Sequence, residues 1–71
     1  MRFHFCKIEI ESKYIYRLLN NTKDIKLRNI IVGEDKTEFI VDYRDIDELR
    51  NILLESKIDI LNLEEKDYML N

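Results

Sequence analysis

The chain has no proline, no tryptophan, one glycine (Gly33), one cysteine (Cys6) and one histidine (His4). Each scarcity excludes something. A single cysteine cannot close an internal disulfide, so stability must come from packing or from a partner. A solitary glycine cannot build a phosphate-cradling loop, and no GxxxxGK run occurs. With proline absent, turns must rest on Asn, Asp and Lys. No apolar run approaches the roughly 20 residues that span a bilayer. The opening MRFHFC lacks the long apolar stretch of a secretory signal, so a cytoplasmic location is expected.

What remains is enough for one small domain, residues 1–71. Hydrophobic residues at 45% supply a core, and charged residues at 38% supply solubility, which argues against disorder. A chain of this size buries only about 60% of its unfolded surface and is stable by roughly 4 to 10 kcal/mol. Charge is unevenly spread. Residues 1–33 carry seven bases and three acids, residues 34–71 five bases and twelve acids. Such asymmetry can steer a basic partner to the acidic half or favour head-to-tail self-contact.

Periodicity places the elements. A strand runs from about Phe3 to Glu11, followed by Ser12 with the chemistry of a helix N-cap. Ile15, Leu18 and Leu19 then mark one face of a short helix that ends at Asn20-Asn21-Thr22. A second strand spans about Ile25 to Val32, GEDK at 33–36 is a turn, and TEFIVDY alternates with Phe39, Val41 and Tyr43 on one side. RDIDELRNILLESK is the clearest helix, capped by Asp45, with Ile46, Leu49, Ile52 and Leu53 buried. KIDILNL returns to strand, and the tail adds a short edge strand at Tyr68 to Leu70. Strand, helix, strand, strand, helix, strand is the order of an α+β, ferredoxin-like βαββαβ sandwich, with both helices on one face of a four-stranded antiparallel sheet.

The first strand is apolar on both sides. Cys6, Ile8 and Ile10 would meet the helices; Phe3, Phe5, Leu27 (or Ile30) and Ile40 would lie on the uncovered face. A contiguous apolar patch there marks a contact surface. The alternative is a β-bulge near Phe5 that sends all these side chains into one core.

Chemical signatures are sparse. His4-x-Cys6 is the one pair with metal-ligand character, and zinc wants four ligands. Residues i and i+2 share a strand face, yet nothing orients the imidazole for nucleophilic work. Asp42, Asp45, Asp47 and Glu48 cluster at the start of the second helix, where the helix dipole favours negative charge. No cofactor or catalytic residue is expected. In the RNA-recognition arrangement the third strand shows stacking aromatics on the bare face; here those positions hold Glu38 and Ile40, and with a net negative chain nucleic acid is a poor partner. An ACT-like metabolite-binding domain would want a glycine after the first strand, where ESKY stands.

The string CKIEIESKYIYRLLN, with IKLRNI, YRDIDELRNI and KIDIL after it, resembles the N-terminal region of the YqfD family of sporulation membrane proteins, over roughly residues 5 to 70. The resemblance implies a soluble protein-interaction domain beside a membrane, with no enzymatic chemistry. The expectation is therefore a non-enzymatic interaction module that grips a protein partner, or a second copy of itself, through Phe3, Phe5, Leu27 and Ile40 or through a strand edge. A different class of function is a phage-encoded inhibitor whose Asp42, Asp45, Asp47, Glu48 and Glu55 imitate phosphates against a basic groove.

Overall fold

The computed structural model describes residues 2–69. Its elements are β1 (Arg2–Glu11), α1 (Ile15–Asn21), β2 (Arg28–Val32), β3 (Lys36–Asp42), α2 (Ile46–Glu55) and β4 (Asn62–Met69). The strands form one sheet in the order β2-β3-β1-β4, and every neighbouring pair is antiparallel. This is the ferredoxin-like βαββαβ plan, with β1 and β3 central and β2 and β4 at the edges.

Strand alternation decides what enters the core. Cys6, Ile8 and Ile10 of β1 and Phe39 and Val41 of β3 point to the helical side and are buried with Ile15 and Leu18 of α1 and Ile46, Leu49 and Leu53 of α2. Ile25 and Ile58, from the connections, close its ends. β1 keeps an unbroken register with β3 from Phe5 to Glu11 and with β4 from Arg2 to Glu9. No bulge forms near Phe5, so its two apolar faces point to opposite sides of the sheet.

Each helix is entered through a 3-10 turn, Ser12–Tyr14 before α1 and Tyr43–Asp45 before α2. Neither expected cap operates: Ser12 and Asp45 make no capping hydrogen bond. Ser12 is drawn instead to the β2–β3 turn. Its N–H donates to Asp35 O (2.8 Å), its hydroxyl donates to Gly33 O (2.7 Å), and Thr37 Oγ1 lies 2.8 Å from Ser12 Oγ. Tyr43, expected in the core, has left β3 for the 3-10 turn, where it is exposed and stacks on His4. Leu19 is likewise exposed; α1 has only seven residues, and Ile15 and Leu18 already fill its contact with the sheet.

α2 ends in a Schellman motif. Lys57 takes a left-handed φ of 58°, its N–H donates to Leu54 O (3.1 Å) and Ile58 N–H donates to Leu53 O (2.9 Å). The motif buries Ile58 beside Leu53, which commits KIDIL to a connection instead of a strand. Pairing resumes only after Leu61 N–H reaches Glu9 O (2.8 Å). β4 thus starts at Asn62, and Tyr68 and Met69 end this same strand. There is no separate strand at Tyr68; Leu70 lies outside the described residues.

Candidate functional site: the open sheet face

The face away from the helices is built by alternate residues of all four strands. β1 contributes Phe3, Phe5, Lys7 and Glu9; their neighbours on β4 are Tyr68, Lys66, Glu64 and Asn62. β3 sets Asp42, Ile40 and Glu38 beside Phe5, Lys7 and Glu9. Along β2, Arg28 faces Ile40 and Ile31 faces Glu38, a three-residue step opposite a two-residue one. This is a bulge with Asn29 at φ 50°, a conformation that Asn tolerates better than most residues.

That extra residue corrects one expected contact. Leu27 lies before β2 and packs against the core. The bulge turns Ile31 outward in its place, 59% exposed. Phe3, Phe5 and Ile40 do lie on the open face, Phe3 being 45% exposed and the other two half-buried. Tyr68 joins them, its ring 5.8 Å from that of Phe5. Sequence reasoning missed Ile31 and Tyr68. A bulge hid the phase of the first; a misplaced strand boundary hid the second. The signal that could have exposed the bulge is Asn29, a poor strand former just before the β-branched run Ile30-Ile31-Val32.

Phe5, Tyr68, Ile40 and Ile31 line an open depression of about 400 Å³, together with Asn29, Lys7, Glu38, Glu64 and Lys66. The charges come in opposite-sign pairs. Lys7 Nζ sits 2.9 Å from Glu38 and Lys66 Nζ 3.3 Å from Glu64, while Asp42 lies 3.9 Å from Arg28 and 3.7 Å from Arg44. The hydrogen bond to Glu38 holds the Lys7 ammonium above its ordinary pKa, and that from Lys66 holds the Glu64 carboxyl below its own. A partner filling the depression would therefore meet only paired charges, at the desolvation cost of those pairs.

The other sequence candidates do not converge. His4 is on the helical side, its Nε2 2.6 Å from Glu65 and its ring 3.9 Å from Tyr43 at an interplanar angle of 9°. Cys6 is 1% exposed, and burial, with Glu65 nearby, pushes its thiol up, the reverse of an activated nucleophile. Among the described residues no three His, Cys, Asp or Glu side chains are placed to hold a metal ion. Of the acids, Asp42 is on the open face, Asp45, Asp47 and Glu48 are at the start of α2, and Glu55 is its last residue. With about 1.5 Å of rise per residue, Glu55 stands more than about 10 Å from the others along the helix.

No protein-family model and no curated protein matches the chain. Solved structures do. A conserved hypothetical protein of Aquifex aeolicus, Aq1575, superposes with a TM-score of 0.65 at 15% identity, over 93% of this chain and 28% of that one. LarC2, the C-terminal domain of a cyclometallase involved in the synthesis of the NPN cofactor of lactate racemase, superposes with a TM-score of 0.52 at 12% identity, over 96% of this chain and 56% of that one. At such identities the likeness is one of fold. The chain spans about a quarter and about half of the lengths of these two neighbours. No described helix is long and apolar enough to cross a membrane.

Proposed function

We propose that this domain is a non-enzymatic protein-interaction module that takes its partner on the open sheet face. The observation that supports this reading is the apolar path Phe3, Phe5, Tyr68, Ile40 and Ile31 across a side of the sheet that no helix covers. Contiguous apolar surface of this kind costs solubility and is usually retained where something docks. Lateral pairing of the surrounding charges is compatible with a polar rim around an apolar centre. The YqfD resemblance suggests where to look for the partner, among proteins acting at a membrane in sporulating cells.

The test is affinity capture from the native cells with wild type, Phe5→Asp and Ile40→Asp. Both side chains are half-buried on the open face and lie outside the core cluster, so the variants should keep the fold, as a circular dichroism spectrum of each would verify. The expected result is a co-purifying protein that both variants lose, since an unpaired charge buried at the centre of an interface costs about 2 to 5 kcal/mol. Retention of the same partner by both variants would refute the open-face reading.

A further inference from the structure

The β2 edge offers a second surface. All five of its residues are exposed, and Ile30, Ile31 and Val32 form the most concentrated apolar stretch on the surface of the described residues. α1 is too short to cover Val32, which is 62% exposed. Its backbone is also poised for pairing. Gly33 N–H donates to Lys36 O across the turn, at 2.9 Å. Alternation along an antiparallel ladder then points the backbone groups of Val32, and of Ile30 beyond Ile31, away from β3.

We propose that this edge pairs with β2 of a second copy of the chain, antiparallel about a two-fold axis at Ile31, to make one continuous eight-stranded sheet. Of the symmetric registers this one uses both outward residues, setting Ile30 of each copy opposite Val32 of the other as hydrogen-bonded pairs. Ile31 meets its own symmetry mate on the open-face side. The bulge at Asn29 stops the shared ladder there.

The opposite edge does not compete. Pairing β4 with itself about Glu65 sets that carboxylate against its own mate, and pairing about Lys66 sets Glu65 against Asp67. Like charges directly opposite are unfavourable, and charged edge strands are a recognised guard against pairing. Association through β2 alone is isologous and closes at two copies. The inference rests on the edge; Ile31 also belongs to the open-face path, and Val32→Pro, which alters only the edge, separates the two readings.

Sedimentation equilibrium over a range reaching millimolar concentration tests it. Wild type should show a concentration-dependent monomer–dimer equilibrium. Val32→Pro removes an outward N–H that the internal ladder does not use, and Ile31→Lys sets two ammonium groups together at the axis; both should be monomeric while keeping the wild-type circular dichroism spectrum. Ile31→Cys treated with a mild thiol oxidant such as diamide, which takes up the two electrons and two protons, should give a disulfide-linked dimer, because directly opposed non-hydrogen-bonded residues lie about 4.5 Å apart at Cα, within disulfide reach. Asn62→Cys on the other edge should not, and buried Cys6 cannot substitute for either. A wild type that stays monomeric throughout would overturn the proposal. So would a dimer that survives Val32→Pro and Ile31→Lys but is lost with Phe5→Asp, or equal cross-linking of Ile31→Cys and Asn62→Cys.

Discussion

Ser12 shows how much one hydroxyl can organise in a chain this short of glycine and proline. Its O–H is spent on Gly33 O, so the hydroxyl of Thr37, a fully buried residue, is the donor to Ser12 Oγ. Through this pair the start of α1 is tied to the turn joining β2 and β3. Ser12→Ala should therefore cost about 1 to 3 kcal/mol, because it leaves a buried hydroxyl without a partner. Adding Thr37→Val should recover much of that loss, because no orphaned group then remains. Urea titration of the two single variants and the double variant checks this; equal, additive losses would mean that the hydroxyls act separately. The link was not legible in the sequence. Ser12 reads locally as a helix cap, and its real partners lie 21 and 25 positions away.

At the level of elements, the strand and helix order was legible because the periods are clean: Cys6-Ile8-Ile10, Phe39-Val41 and Ile46-Leu49-Leu53 are all buried as spacing requires. Boundaries were not, wherever a backbone reversal intervened. Asn29 and Lys57 are the two non-glycine residues with positive φ among those described, and each sits where an assignment slipped. At Asn29 the bulge moved Leu27 off the open face and Ile31 onto it. At Lys57 the Schellman motif turned an expected strand into a connection. A lysine in the left-handed region costs roughly 1 to 2 kcal/mol relative to a residue without Cβ. Lys57→Gly should accordingly raise stability, by about 1 kcal/mol once the greater freedom of the unfolded glycine is counted. The expected signature is a higher urea midpoint with an unchanged slope. A lower midpoint would show that the Lys57 side chain contributes something its geometry does not reveal.

For the whole molecule, the sheet is held differently at its two ends. Where α2 and α1 cover β1 and β3, stability comes from buried hydrocarbon and is insensitive to pH. β4 carries little of that core: Leu63 is its one side chain packed against the cluster. The backbone ladder to β1 and the contact of Tyr68 with Phe5 hold the rest of it, together with two side-chain pairs that cross to β1, Arg2 with Asp67 at 2.7 Å and His4 with Glu65 at 2.6 Å. The hydrogen bond from Arg2 lowers the Asp67 carboxyl below its ordinary range, and that from Lys66 lowers Glu64. A carboxyl whose pKa is depressed in the folded state stabilises that state above its unfolded pKa, and the benefit disappears as pH falls through the folded value. Acidification below about pH 4 should thus loosen β4 before the rest of the sheet. Because the pairs are exposed, the effect should be small and should shrink further in salt. Amide hydrogen exchange measured at neutral and at acid pH, corrected for intrinsic exchange rates, would show it as protection lost first along Asn62–Met69 and its neighbours on the outer side of β1, with β3 unaffected. Uniform loss across all four strands would mean that β4 belongs to the same cooperative unit as the core, and that its ion pairs merely decorate an edge held by the backbone ladder.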